Sequence, residues 1–151
     1  MKQRPTNELN DLLENAKPDQ LDGYLKQNRQ YLANDSKAFY YYMKDVLDAK
    51  RIRLKDVYLA AGVSESFGSK IIRMEKHTTN RDLIIRLCLG GRLNWQEANR
   101  ALKLYGMSEL YAKDPRDACV IVAINNRVFD VYGVDEILKE HGLDGIFNLN
   151  E

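Results

Sequence analysis

LKDVYLAAGVSESFGSKIIRM, residues 54–74, carries two apolar stripes of helical period, one on each side of a glycine. Leu54, Val57, Tyr58 and Ala61 recur at the spacing of one buried helical face. That face stops at Gly62, the residue type that most readily takes the left-handed conformation closing a helix. Val63 fills the gap after the turn, and Ser64 offers the side-chain oxygen that a second helix needs at its N-cap. Glu65 then sits favourably against the new helix dipole. Phe67, Ile71 and Ile72 form the second stripe, which leaves Ser66, Ser69, Lys70 and Arg73 on the polar face.

Two short helices joined by a glycine turn, the second with a basic and hydroxyl-rich outer face, make the helix-turn-helix pattern. The flanking residues extend it. FYYYMKDVLDAKR precedes the pair, and RDLIIRLCL and WQEANRALKLY follow it. In this order of elements, from Phe39 to about Leu104, the chain resembles the phage-repressor-like helix-turn-helix domains of the xenobiotic-response-element type. The resemblance implies a compact bundle of five helices, double-stranded DNA as the partner, and transcription regulation in a bacterial or phage setting. It also implies that Ser64, Glu65, Ser66, Ser69 and Lys70 lie nearest base edges. Arg73, Lys76, His77 and Thr78 would meet the sugar-phosphate backbone, positioning the protein without reading sequence. A homodimer would set two recognition helices ~34 Å apart on a palindrome.

The chain departs from that family at two places. The family usually has a small residue where Tyr58 stands and an apolar one where Gly68 stands, so bulk and smallness look exchanged across one helix-helix contact. A glycine inside a helix costs roughly 1 kcal/mol relative to alanine, which points to close packing at that position. The glutamines with which such domains often grip phosphate and bases are also absent: Leu54 opens the first helix, and Glu65 lies near the start of the second. Glu65 can accept a hydrogen bond from a cytosine amino group, but it repels phosphate. A second reading therefore stands beside the first: a helical protein-interaction adaptor or inhibitor that keeps the helix-turn-helix shape without binding DNA.

Charge is unevenly spread. The net formal charge is only +1, yet residues 50–92 hold 10 Lys and Arg against 4 Asp and Glu, while residues 93–151 hold 6 against 10. Local positive charge, not the total, governs attraction to phosphate. A length of 151 residues with 44% hydrophobic and 30% charged residues suits a soluble globular chain with one sizeable core. The longest apolar run, Ala118 to Ile124, is too short for a bilayer, and the charged amino terminus lacks the pattern of a signal peptide. A cytoplasmic protein without a membrane partner is expected. Cys88, Cys119, His77 and His141 are too scattered for a disulfide framework or a zinc site. No glycine-rich phosphate loop or nucleophile–histidine pairing supports catalysis, and no cofactor is expected.

The expected fold is all-α, with three parts. Residues 1–35 read as an amino-terminal helical hairpin in which Leu9, Leu12 and Leu13, then Leu21, Leu25 and Leu32, carry the stripes on either side of Pro18. Residues 36–106 hold the repressor-like helix-turn-helix domain. Asp35 and Ser36 restart the chain, and Phe39, Met43, Val46 and Leu47 form its first stripe. Asn80 caps the fourth helix of the bundle, with Arg81 and Arg86 facing out and Gly90-Gly91 ending it; Asn94 caps the fifth, and Gly106 stops it. Residues 107–151 form a helical extension that packs on the core or makes a dimer interface. Asp114-Pro115 starts a core helix, apolar all round from Ala118 to Ile124, with Arg116 and its neighbouring aspartates as a local ion pair. A last helix spans about Val134 to His141, and Phe147 and Leu149 tuck back. Either terminal part offers a surface to a protein partner.

Overall fold

The computed structural model describes residues 10, 14, 17–21, 23 and 36–147. Most of the expected amino-terminal hairpin lies outside them, as does Leu149. Pro18–Gln20 forms one 3-10 turn, in which the Gln20 N–H donates to the Lys17 carbonyl at 2.8 Å. Among the described residues seven α-helices follow: α1 Ala38–Lys50, α2 Leu54–Ala61, α3 Glu65–Ile72, α4 Arg81–Gly90, α5 Trp95–Leu104, α6 Pro115–Asn125 and α7 Val131–Glu140. The described chain is all-helical, with no strand among these residues. None of its helices is long and apolar enough to cross a membrane.

Short polar side chains begin most of these helices, because the first N–H groups of a helix have no partner within it. Asn80 accepts from the Leu83 N–H at 3.2 Å, and Asn94 and Glu97 exchange side-chain-to-backbone bonds at 2.8 and 2.9 Å. Asp114 accepts from the Asp117 N–H at 3.0 Å, with Pro115 at the first helical position, where its missing N–H costs nothing. The start of α7 differs from the expectation. Asp130 caps it, accepting from the Tyr132 N–H at 3.1 Å, so the helix begins at Val131 rather than near Val134.

Gly62, Gly106 and Gly142 close α2, α5 and α7 with positive φ, as their positions suggest. Gly90 and Gly91 end α4 as expected, though without a positive φ, and their smallness serves packing. The left-handed residue after α4 is Arg92, while a β-carbon on Gly90 would lie 2.7 Å from the Val57 carbonyl oxygen. Smallness at position 90 lets α4 lie against α2.

One apolar interior runs from Phe39 and Met43 of α1, through Val57, Ile71, Leu83 and Leu102, to Val134 and Ile146, and so crosses position 106 without a break. α6 packs mainly on α7 and α5, and α7 also touches α4. The expectation that α6 is buried all round is overturned: Val122 is 61% exposed and Cys119 is half-buried, so one face of the helix meets solvent. Cys88 is enclosed, and burial pushes its thiol up to about 12.

Two crossed ion pairs join the extension to the bundle, and they correct the expectation that Arg116 pairs locally. Arg81 at the start of α4 holds Asp117 of α6 through two bonds of 2.8 and 2.9 Å, and Arg116 holds Asp82 through two of 3.2 and 3.0 Å. The same guanidiniums bind backbone carbonyls, Arg81 those of Ser108 and Glu109, Arg116 those of Asp144 and Gly145. Paired two-point contacts of this kind fix geometry as well as energy. Burial works against the Asp117 charge, but the hydrogen bonds from Arg81 and the Tyr111 N–H outweigh it and hold the carboxyl below its ordinary range.

A carboxyl depressed in the folded state stabilises above its unfolded value, about pH 4, and loses that contribution as pH falls through its folded value. Asp117→Asn should therefore lower stability by about 2 kcal/mol at neutral pH and flatten the acid limb of the profile. Urea unfolding across that pH range reads both effects. Profiles that coincide for the variant and the native chain would show that the clamp contributes nothing.

Candidate nucleic-acid interface

The geometry of α2, turn and α3 follows from three residues, Gly62, Val63 and Ser64. Gly62 takes φ +72°, the Val63 N–H reaches back to the Tyr58 carbonyl at 3.1 Å, and Ser64 accepts from the Phe67 N–H at 3.2 Å. The new helix thus starts at a fixed angle. Its inner face buries Ile71 and Ile72 completely, each contributing roughly 1.5–3 kcal/mol by removal from water. α3 rests mainly on α2 and α1.

Tyr58 and Gly68 meet where α2 and α3 touch. Tyr58 is 4% exposed, and a β-carbon on Gly68 would stand 2.6 Å from its Cδ1 atom. The bulky residue on one helix and the missing side chain on the other are thus a matched pair. Burial raises the Tyr58 hydroxyl above its ordinary range, partly offset by a hydrogen bond with the Ser69 side chain.

Ser64, Glu65, Ser66, Lys70, Arg73, Lys76 and His77 are all exposed, whereas Ser69 and Thr78 are half-buried. The structure divides these candidates. Ser64 and Ser69 already use their hydroxyls, one as the cap of α3 and one toward Tyr58. Thr78 accepts from the Asn80 N–H at 3.0 Å while its own N–H donates to the Tyr105 hydroxyl at 2.9 Å. His77 lies flat on the Tyr105 ring, centroids 4.9 Å apart and planes within 8°. Lys76 reaches back over the Phe67 ring, 5.1 Å from its centroid. The loop after α3 is therefore held by Tyr105 and Phe67 beside the helix end. Glu65, Lys70 and Arg73 make no ion pair among the described residues.

Sequence reasoning misses two supports of this surface. Lys37 donates to the Arg73 carbonyl at 2.9 Å, placing a cation at the carboxyl end of α3, where the helix dipole favours one. Arg86, against the expectation that it faces out, is 1% exposed. Its Nε donates to the Ala61 carbonyl at 3.0 Å, closing α2, and its guanidinium lies 4.8 Å from the Phe147 ring. Phe147 in turn lies beside the exposed Gly62, its Cε1 3.0 Å from where a β-carbon would stand, so the tail tucks back against the turn. Position 86 shares the spacing of Leu83, Leu87 and Gly90, and that spacing is the available signal; the charge on the residue conceals it.

No family profile matches the chain, and no curated protein or solved structure is detectably similar to it. Among the described residues, no cluster of His, Cys, Asp or Glu is arranged to hold a metal ion.

The Tyr58–Gly68 contact predicts a change of sign. Gly68→Ala gains about 1 kcal/mol in helix propensity but forces a β-carbon into the ring, an overpacking that costs about 1–3 kcal/mol. The substitution should destabilise the native chain and stabilise a Tyr58→Ala background. Chemical denaturation of the four chains in that cycle decides it; an equal effect in both backgrounds contradicts the contact.

Proposed function

We propose that the protein is a sequence-specific DNA-binding regulator of transcription, in which α1 to α5 act as a repressor-like five-helix domain and α3 enters the major groove. The observation that carries this reading is the exposed edge of α3. Lys70, Arg73 and Lys76 run along it and into the next loop, open to solvent. The carboxy-terminal extension packs mainly on α4 and α5, with Phe147 and Tyr132 reaching only the turn at Gly62, so the described helices do not pack chiefly on that edge.

Side chains already committed to the fold narrow the roles. Ser66 and Lys70 are the groups suited to base edges, with Glu65 setting a preference for cytosine at one position. Arg73 and Lys76 neutralise phosphate. The half-buried Ser69 and Thr78 act by shaping the helix and loop. His77, stacked on Tyr105, offers a ring edge to the backbone.

A second reading, a protein-interaction adaptor that keeps the shape without the DNA, is favoured by one observation: Leu59, on the outer side of α2, is 78% exposed. Selection from fragmented genomic DNA with purified protein at two salt concentrations separates the two. The regulator reading expects enrichment of a common motif. Lys70→Ala with Arg73→Ala should then weaken binding to any duplex and reduce the salt slope by about 1 per lost phosphate contact. Fluorescence anisotropy measures both quantities, and an unchanged affinity and slope would remove these residues from the interface.

A further inference from the structure

A groove of about 330 Å³ opens on the flank of α2, with Ala60, Leu89, Gly90 and Phe129 in its lining and Arg92 and Arg127 at its rim. No residue of the α3 edge belongs to it. Arg92 lies 5.9 Å from the Phe129 ring, and neither arginine has a carboxylate within ion-pair distance among the described residues.

Both arginines stand on fixed backbone. Their N–H groups donate to the Leu89 and Ile124 carbonyls at 3.0 Å each, so two cations project from the ends of α4 and α6 on backbone that needs no further ordering. Two exposed apolar side chains stand near the groove in sequence but outside its lining. Leu59 precedes Ala60 on α2, and Tyr132, 61% exposed, packs against Phe147 over Gly62. Asp130 is the one acid in the lining, and its carboxylate is engaged in capping α7.

We propose that this groove docks an acidic segment of a partner protein, its carboxylates paired with Arg92 and Arg127 and an aliphatic or aromatic side chain seated on Phe129. The charge of the rim selects the sign of the partner. The half-buried Phe129 ring between these charges offers an apolar contact that a peptide side chain uses and a bare anion does not. Asp130 disfavours a continuous polyanion along the groove while leaving positions for separate carboxylates. The site does not rest on the DNA reading, because the two surfaces share no side chain.

The probe is a short peptide of glutamates flanking one leucine and one phenylalanine, with lysines replacing glutamates in the control. Titration into isotope-labelled protein, followed by amide chemical shifts, should move Ala60, Gly90, Arg92 and Phe129, and only with the acidic peptide. Arg92→Gln with Arg127→Gln should weaken that binding about tenfold without altering the circular dichroism or the affinity for duplex DNA. Three results would overturn the proposal: no shifts at the groove, equal binding of both peptides, or acidic-peptide shifts confined to Lys70 and Arg73. Sedimentation of the free protein supplies a fourth. A dimer that dissociates in the double variant would overturn it by assigning the groove to a second copy of the chain.

Discussion

At position 90 the chain has a hydrogen where any other residue would put a carbon against the Val57 carbonyl oxygen, and the packing of α4 on α2 depends on that absence. Close packing at this point carries α4 past the end of α2, where the buried Arg86 donates to the Ala61 carbonyl. With α2 held along its length and at its end, the direction of α3 follows from Gly62 and Ser64. A second small residue, Gly68, then lets α3 settle on the Tyr58 ring. Two missing side chains, both facing α2, thus place the outer edge of α3.

The electrostatics divide between construction and display. Residues 50–92 hold 10 Lys and Arg, but the fold consumes several of them. Lys50 pairs with Glu97, Arg53 with Asp56 and Arg81 with Asp117, and Arg86 is internal. Lys70, Arg73 and Lys76 remain on the α3 edge and its loop, with Arg92 at the groove. The regional excess of charge therefore overstates the field that a duplex would meet at α3. On the proposed DNA-binding reading, that inventory allows only a modest number of phosphate contacts and a correspondingly shallow salt dependence.

Much of the helical order is legible in the sequence because its signals are local. Caps at Ser64, Asn80, Asn94 and Asp114 and stops at Gly62, Gly106 and Gly142 each act within one turn of helix, and the apolar stripes follow from spacing alone. The glycine inside the second stripe signals a close approach at Gly68 through its helix-propensity cost, but that Tyr58 is what it approaches is shown only by the packing of α3 on α2. What escapes is long-range. Arg81 and Asp117 lie 36 residues apart, Arg116 and Asp82 lie 34 apart, and nothing in either short segment specifies the partner. The burial of Arg86 is hidden by its charge, and becomes affordable only once a helix end and an aromatic face receive the guanidinium. The α3 edge is legible as a set of residues but not as a set of roles, because the claims of Tyr58 on Ser69 and of Tyr105 on His77 come from other elements.

If the outer edge of α3 is the surface that meets duplex DNA, its backbone must become protected when the complex forms. Amide hydrogen exchange of the protein, measured with and without a saturating duplex recovered by genomic selection, tests this most directly. Slowed exchange across residues 64–73 and in the loop at 76–78, with α6 and α7 unchanged, is the predicted result. Protection confined to the carboxy-terminal helices, or none anywhere under conditions of full binding, would contradict it.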